Sequence, residues 1–267
     1  MIEMIVCDID GTILPAGSEY VRENTIKAFR QLKKEGYQTL IASGRHYIQI
    51  NPHVIEAIDP DYIVTINGAC LVDRYGKTLE KYPLDEETFH KLNSYCEEHG
   101  IGLGYKFEDK VVTYAADERF LTCYYDPISP YAGTPGTAVA DLTRTHHLKV
   151  GLPLGIFLFC TKEESEQLQE AFPQLIIARS YIDSYDAFLA DITKATTVES
   201  ALRLSGLTWD EAMAFGDAGN DEEMIRQAGL GIAMGNGEEH IKSIADYVTT
   251  DCRDDGVVHA LKHFHIL

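Results

Sequence analysis

The sequence predicts an α/β protein: a doubly wound parallel sheet into which a second, α+β domain is inserted. Three observations carry this expectation. Short apolar runs with little alternation, such as Met4-Ile5-Val6-Cys7 and Thr39-Leu40-Ile41-Ala42, are separated by stretches of helical spacing, as in strands covered on both faces. Polar residues and glycines gather after those runs, where open parallel sheets bind ligands. From about Tyr82 to Tyr185 the strand–helix alternation is lost, and loops, tyrosines and prolines take over.

Each element has its own signal. Residues 4–7 form an apolar run that stops at Asp8, as a buried strand does. Residues 21–34 place Ile26, Phe29 and Leu32 on one helical face, with Lys33 and Lys34 in the last turn and Gly36 beyond it. Residues 39–42 and 62–65 are two more strands, closed by Ser43-Gly44-Arg45 and Asn67-Gly68. In the middle, 111–114 and 156–160 look like strands and 163–171 like a polar helix. The alternating pattern then returns as helix 196–204, strand 212–215, helix 221–228 and strand 231–233. The expected organisation is a core of residues 1–82 and 186–267 with an insertion at 83–185.

Composition narrows the function. With 267 residues, 45% hydrophobic and 24% charged, the chain can bury a sizeable core and is neither disordered nor a disulfide miniprotein. Forty-two acidic against 23 basic residues give a net charge of −19, which argues against a nucleic acid or an anionic membrane as partner. No apolar run approaches the ~18 residues of a membrane span. Glu3 stands where a signal peptide needs positive charge. A cytoplasmic chain, monomer or homodimer, is expected. The six cysteines are scattered without C-x-x-C or zinc spacing and read as small core residues.

Four motifs fall at strand ends. In Asp8-Ile9-Asp10-Gly11-Thr12 two carboxylates project from one side of an extended chain, and a buried pair of that kind requires a cation or a shared proton. Calcium-loop spacing is absent. Ser43, in Ser43-Gly44-Arg45, offers either a phosphate donor or a helix N-cap. Lys194 precedes the helical stretch at 196. Gly216-Asp217-Ala218-Gly219-Asn220-Asp221 is a hard-oxygen cluster suited to Mg²⁺, in which Asn220 or Asp221 also caps the following helix.

In this order the four motifs resemble the haloacid dehalogenase superfamily. Asn67-Gly68-Ala69, Ala233-Met234-Gly235-Asn236, Ala245-Asp246-Tyr247-Val248-Thr249 and Asp255-Gly256-Val257 are similar to its Cof-type (class IIB cap) phosphatases. The segment Asp191-Ile192-Thr193-Lys194 is shorter than the loop usual in that subgroup. The resemblance implies a Rossmann-like catalytic core and a cap that closes over the site. It further implies a Mg²⁺-dependent phosphatase for small phosphorylated metabolites such as sugar phosphates, pyridoxal phosphate or a flavin nucleotide. Asp8 would be the nucleophile and Asp10 the general acid and base. Ser43, Lys194 and Asn220 would hold the phosphoryl oxygens. Asp8, the Asp10 carbonyl and Asp217 would bind the metal, with Asp221 orienting a metal-bound water or Lys194. Mg²⁺, Lys194 and Arg45 would reverse the local sign of an acidic protein.

Tyr124, Tyr125, Tyr131 and Arg179 are candidates for substrate contact, though ordinary packing is the commoner fate of a tyrosine. His146, His147, His263 and His265 have no spaced acidic partners and take no role. Two alternatives stay open: a phosphomutase of the same superfamily, and a receiver-like module phosphorylated on Asp8 without turnover.

Overall fold

Met4–Cys7 has no charged side chain and is buried along its whole length. It forms β1, the strand around which the sheet is built. The computed structural model describes residues 1–15, 17–18, 20–113, 137–139, 147–181 and 183–267. After β1 come α1 (Glu23–Glu35), β2 (Gln38–Ala42), α2 (Pro52–Ile58), β3 (Tyr62–Thr65), β4 (Cys70–Asp73) and β5 (Thr78–Lys81). Next follow α3 (Glu86–His99), β6 (Gly102–Lys106), β7 (Val111–Thr113), β8 (Thr137–Val139), α4 (His147–Val150), β9 (Gly155–Phe159), α5 (Lys162–Ala171), β10 (Leu175–Tyr181) and β11 (Ser184–Leu189). The chain ends with α6 (Lys194–Ser205), β12 (Ala212–Gly216), α7 (Glu222–Gln227), β13 (Leu230–Ala233), α8 (Glu239–Ile244), β14 (Tyr247–Val248) and α9 (Gly256–His263).

Two compact units result. The first comprises Met1–Arg45, Ile50–Glu80 and Thr193–Leu267. Its sheet runs β14-β13-β12-β1-β2-β3-β4-β5. From β14 to β3 every pairing is parallel, as the unbroken apolar strands predict. On one face Met4, Val6, Leu40 and Val64 pack with Ala195, Val198 and Leu202 of α6. Phe29 and Leu32 of α1 and Leu261 of α9 are also buried. The sheet is not parallel throughout, because β4 runs antiparallel to β3. Only the tight turn Ile66–Gly68 and Ala69 lie between them, and a parallel crossover needs a dozen residues or more.

The second unit comprises His46–Gln49 and Lys81–Ile192. Its sheet runs β10-β11-β9-β6-β7-β8, with Phe89, Leu92 and Cys96 of α3 and Leu168 of α5 buried against Leu103, Tyr105, Ile156 and Leu158. Asp85 caps α3 by accepting the Thr88 N–H at 2.8 Å, and Thr161 with Glu164 forms a capping box on α5. The expected joint at 185/186 falls inside β11, whose pairing with β9 and β10 carries this unit on to Ile192. One buried charge stands out here: the Lys106 ammonium meets Asp186 at 2.9 Å and lies 3.9 Å over the Phe157 ring.

Among the described residues no helix is long and apolar enough to cross a membrane. Cys7, Cys70, Cys96, Cys160 and Cys252 are buried free thiols. Cys123, Tyr124, Tyr125, Tyr131 and His146 lie outside the described residues. Arg179 lies on β10 and His147 opens α4.

Candidate active site

β1 and β12 are adjacent parallel strands in the register Cys7↔Phe215, so the residues after them leave the sheet side by side. The Asp8 N–H donates to the Phe215 carbonyl at 3.1 Å, which extends the ladder by one step and fixes Asp8 at the sheet edge. The chain then turns sharply. The N–H groups of Thr12, Ile13 and Leu14 all point at the Ile9 carbonyl. Gly11 has φ +84°, and a Cβ there would fall 2.1 Å from Asp217 Oδ2. Glycine is required on both counts. The turn is tied from outside by Asn236, whose side-chain amide donates to the Gly11 carbonyl at 2.8 Å.

Opposite Asp8 stands Lys194, the first residue of α6. Its ammonium donates to Asp8 Oδ1 and to Asp221 Oδ1, each at 2.7 Å. Water is nearly excluded from the trio: Asp8 is 5%, Lys194 1% and Asp221 0% exposed. The other oxygen of Asp221 accepts the N–H groups of Asp217 at 2.9 Å and Ala218 at 3.2 Å. The sequence suggested that Asn220 or Asp221 caps the following helix. Instead the Asp221 carboxylate reaches back to close the turn ahead of it while holding Lys194, and α7 has no side-chain cap.

Gly68 lets α6 begin there. Its φ is +108°, and a Cβ would lie 2.0 Å from the Thr193 carbonyl. The Thr197 hydroxyl also donates to the Gly68 carbonyl. Thr193 is thus seated directly on the β3–β4 turn, and the helix opens at 194, two residues before the expected start.

Three carboxylates, Asp8, Asp217 and Asp221, bring oxygens within 4.8 Å of one another around a single ammonium. Burial pushes the Asp8 carboxyl well above its usual range, against the pull of Lys194. Burial and the Asp221 charge push Asp217 up to about 7. Burial works to discharge Lys194, but Asp221 and Asp8 outweigh it and keep it charged. Such an excess of hard oxygens is the donor set of a divalent cation. With Asp221 committed on both oxygens, Asp8 and Asp217 are the carboxylates left to hold an ion.

The remaining predicted residues surround this cluster without bonding to it directly. Ser43 follows β2 and is buried. Its hydroxyl accepts the Arg45 N–H at 3.1 Å and its carbonyl accepts the Asn67 N–H at 3.1 Å. Ser43 is therefore not an α-helix N-cap, since only the 3₁₀ turn Tyr47–Gln49 follows. The exposed Asn220 donates to Asn67 Oδ1 at 2.9 Å, so Ser43 and Asn220 are joined through Asn67. The Asp10 side chain points to Arg45 and forms a two-pronged ion pair, Nε–Oδ2 2.8 Å and Nη2–Oδ1 2.6 Å.

The arrangement matches a known one over nearly the whole chain: residues 5–261 fit haloacid dehalogenase-like hydrolases. The chain belongs to that family. It is 28% identical to pyridoxal phosphate phosphatase YbhA of Escherichia coli over 95% of both chains. It is 26% identical to 5-amino-6-(5-phospho-D-ribitylamino)uracil phosphatase YitU of Bacillus subtilis, over 99% of this chain and 98% of that one. Among solved structures, the HAD subclass IIB sugar phosphatase BT4131 superposes with a TM-score of 0.84 at 27% identity, over 99% of this chain and all of the other. The enzyme is thereby a phosphatase of the haloacid dehalogenase superfamily, as the ordered motifs implied.

Sequence reasoning did not find the working partners of these residues in this haloacid dehalogenase-like enzyme. Asn67, Asn236 and the Arg45–Asp10 pair emerge only in three dimensions. Asn67 had a signal, a polar residue just after an apolar strand. Asn236 stands in a family-like motif and Arg45 was named as a local positive charge, but their partners Gly11 and Asp10 lie 225 and 35 residues away and had no signal.

Proposed function

We propose that this enzyme hydrolyses phosphate monoesters of small metabolites through a phosphoryl-Asp8 intermediate. The observation that carries this reading is the buried Asp8 carboxylate, held at the end of β1 by Lys194 at 2.7 Å with Asp217 beside it.

Asp8 attacks phosphorus through one carboxylate oxygen. The bond from phosphorus to the leaving oxygen breaks, and Asp10 delivers a proton to that oxygen. Asp10 then takes a proton from water as it attacks the acyl phosphate, which releases phosphate and restores Asp8. Lys194, Ser43 and Asn220 hold the phosphoryl oxygens, so that charge building in the transition state meets fixed donors. Asp221 keeps Lys194 aimed and charged. Asp8, the Asp10 carbonyl and Asp217 would hold Mg²⁺. That ion, when bound, neutralises phosphoryl charge that a protein of net charge −19 would otherwise repel.

The relatives are named for pyridoxal phosphate, a ribityl phosphate and sugars. These are small esters of primary or sugar alcohols, the substrate class we assign to this chain. The inserted region 83–185 is assigned the choice among them.

The test is phosphate release from a panel of such esters, with wild type beside Asp8→Asn, in Mg²⁺ and in EDTA. Hydrolysis of several esters by wild type with Mg²⁺, and none by the variant, is expected. Full activity in EDTA, or in the Asp8 variant, contradicts the reading.

A further inference from the structure

The two carboxylate oxygens of Asp10 are both taken by Arg45, Oδ2 by Nε at 2.8 Å and Oδ1 by Nη2 at 2.6 Å. On the proposed reading, one of those oxygens must meet the leaving-group oxygen of the substrate. A carboxylate gripped on both sides by one planar fork keeps only the outward lone pair of each oxygen for that contact, and its orientation is set by Arg45. Opening either hydrogen bond frees the side chain to turn toward the leaving group.

The pair is built to open. Its side chains are 34% and 58% exposed, so water screens and competes for the bonds. Lys194 and Asp8, by contrast, form their pair in almost complete exclusion from water. Arg45 also leaves the same turn as Ser43. Its backbone N–H donates to the Ser43 hydroxyl at 3.1 Å, so its side chain emerges from the same turn as a proposed phosphate ligand. Guanidinium groups bind phosphate oxygens in the same two-pronged way as they bind carboxylates.

We propose that Arg45 is a phosphate-binding residue held in reserve by Asp10. In the resting enzyme the Arg45 fork closes on the Asp10 carboxylate. An incoming phosphate dianion draws the fork onto its own oxygens, and Asp10 is released to face the leaving group. The arriving substrate would thus place the binding charge and free the proton-transferring side chain in one exchange. Free Asp10 would not persist in the absence of substrate. This inference rests on the phosphatase reading of the site, but can fail separately from it.

The experiment is a double-mutant cycle read by phosphate binding, not turnover. Inorganic phosphate is titrated calorimetrically, with Mg²⁺ present, into wild type, Asp10→Asn, Arg45→Gln and the double variant. Both positions are partly exposed, and thermal melts establish that all four proteins fold. If Asp10 competes for Arg45, Asp10→Asn tightens phosphate by about fivefold to tenfold, the size of a typical contact coupling. Arg45→Gln weakens it, and the double variant binds no more tightly than Arg45→Gln alone. An equal gain from Asp10→Asn in both backgrounds would mean that only a repelling charge was removed, and overturns the exchange. So does the lack of any gain from Asp10→Asn in the protein that keeps Arg45. A wild type that hydrolyses esters but shows no coupling loses the exchange alone. A wild type that neither binds phosphate nor releases it from esters loses the phosphatase reading as well.

Discussion

Lys194 holds Asp8 and Asp221 at the same distance, 2.7 Å, from a position 1% exposed to solvent. One ammonium therefore serves two carboxylates that come from the ends of different strands, β1 and β12. This shared cation pulls the Asp8 carboxyl down against burial, which still holds it well above its usual range. It also ties the first residue of α6 to the sheet edge.

Removing that cation leaves two buried carboxylates facing each other. Lys194→Met is expected to cost about 3 kcal/mol at pH 8, the scale for breaking one side of a buried ion pair. The loss should shrink on acidification, because protonated carboxyls no longer repel. Urea melts of wild type and variant at pH 8 and pH 5 measure it. An unchanged midpoint at both pH values would show that Lys194 carries no such burden.

Burial and the Asp221 charge push the Asp217 carboxyl up to about 7. Its folded value lies above the ordinary 3.8, so without metal this group's contribution to stability is fully present below 3.8. It is lost as pH rises towards 7. A cation must displace that proton. Mg²⁺ is expected to bind more tightly at pH 8 than at pH 6, with proton release visible as a dependence of binding heat on buffer. Affinity that is independent of pH would exclude Asp217 as a ligand.

His46 shifts the other way. Burial lowers its pKa from 6.5 to about 4. The ring is 1% exposed and held between the Phe107 carbonyl and the Ile48 N–H. Neighbouring Lys106 disfavours the charged ring, while Asp109 favours it. The unfolded chain takes up this proton first, so stability is lost as pH falls from about 6.5 towards 4. The loss is about 3 kcal/mol over the whole window. Denaturant melts from pH 7.5 to 4 should show the decline, and His46→Gln should flatten it. A variant that declines as steeply as wild type would rule out His46 as the source.

Gly11→Ala places a methyl group 2.1 Å from the Asp217 carboxylate oxygen on a backbone at φ +84°. The backbone alone costs about 1 kcal/mol, which the fold should tolerate. Phosphatase activity and Mg²⁺ affinity are expected to fall at least tenfold, since Asp217 must move. A variant with normal Mg²⁺ affinity would show that this approach is not needed.

How much could be read from sequence depended on whether a signal was local. β1, β2, β3 and β12 were legible because strands buried on both faces are apolar at most positions, and their ends are marked by Asp8, Ser43, Asn67 and Asp217. β4 and β5 were not. Thr78–Lys81 is an edge strand with alternating exposure, and the antiparallel direction of β4 is set by the turn at Ile66–Gly68. Asp8, Lys194, Asp217 and Asp221 could be named because the ordered motifs matched a known pattern. That Asp10 faces Arg45, and that Asn220 faces Asn67, follows from strand order in the sheet, which no single segment records.

The most direct measurement is of the nucleophile itself. Enzyme mixed with a reactive phosphate monoester and Mg²⁺ is quenched in acid within milliseconds, and its peptides are mapped by mass spectrometry. A single phosphoryl group on the peptide containing Asp8, removed by hydroxylamine and absent from Asp8→Asn, is expected. Turnover that continues in Asp8→Asn with no phosphorylated peptide would contradict the account at its centre.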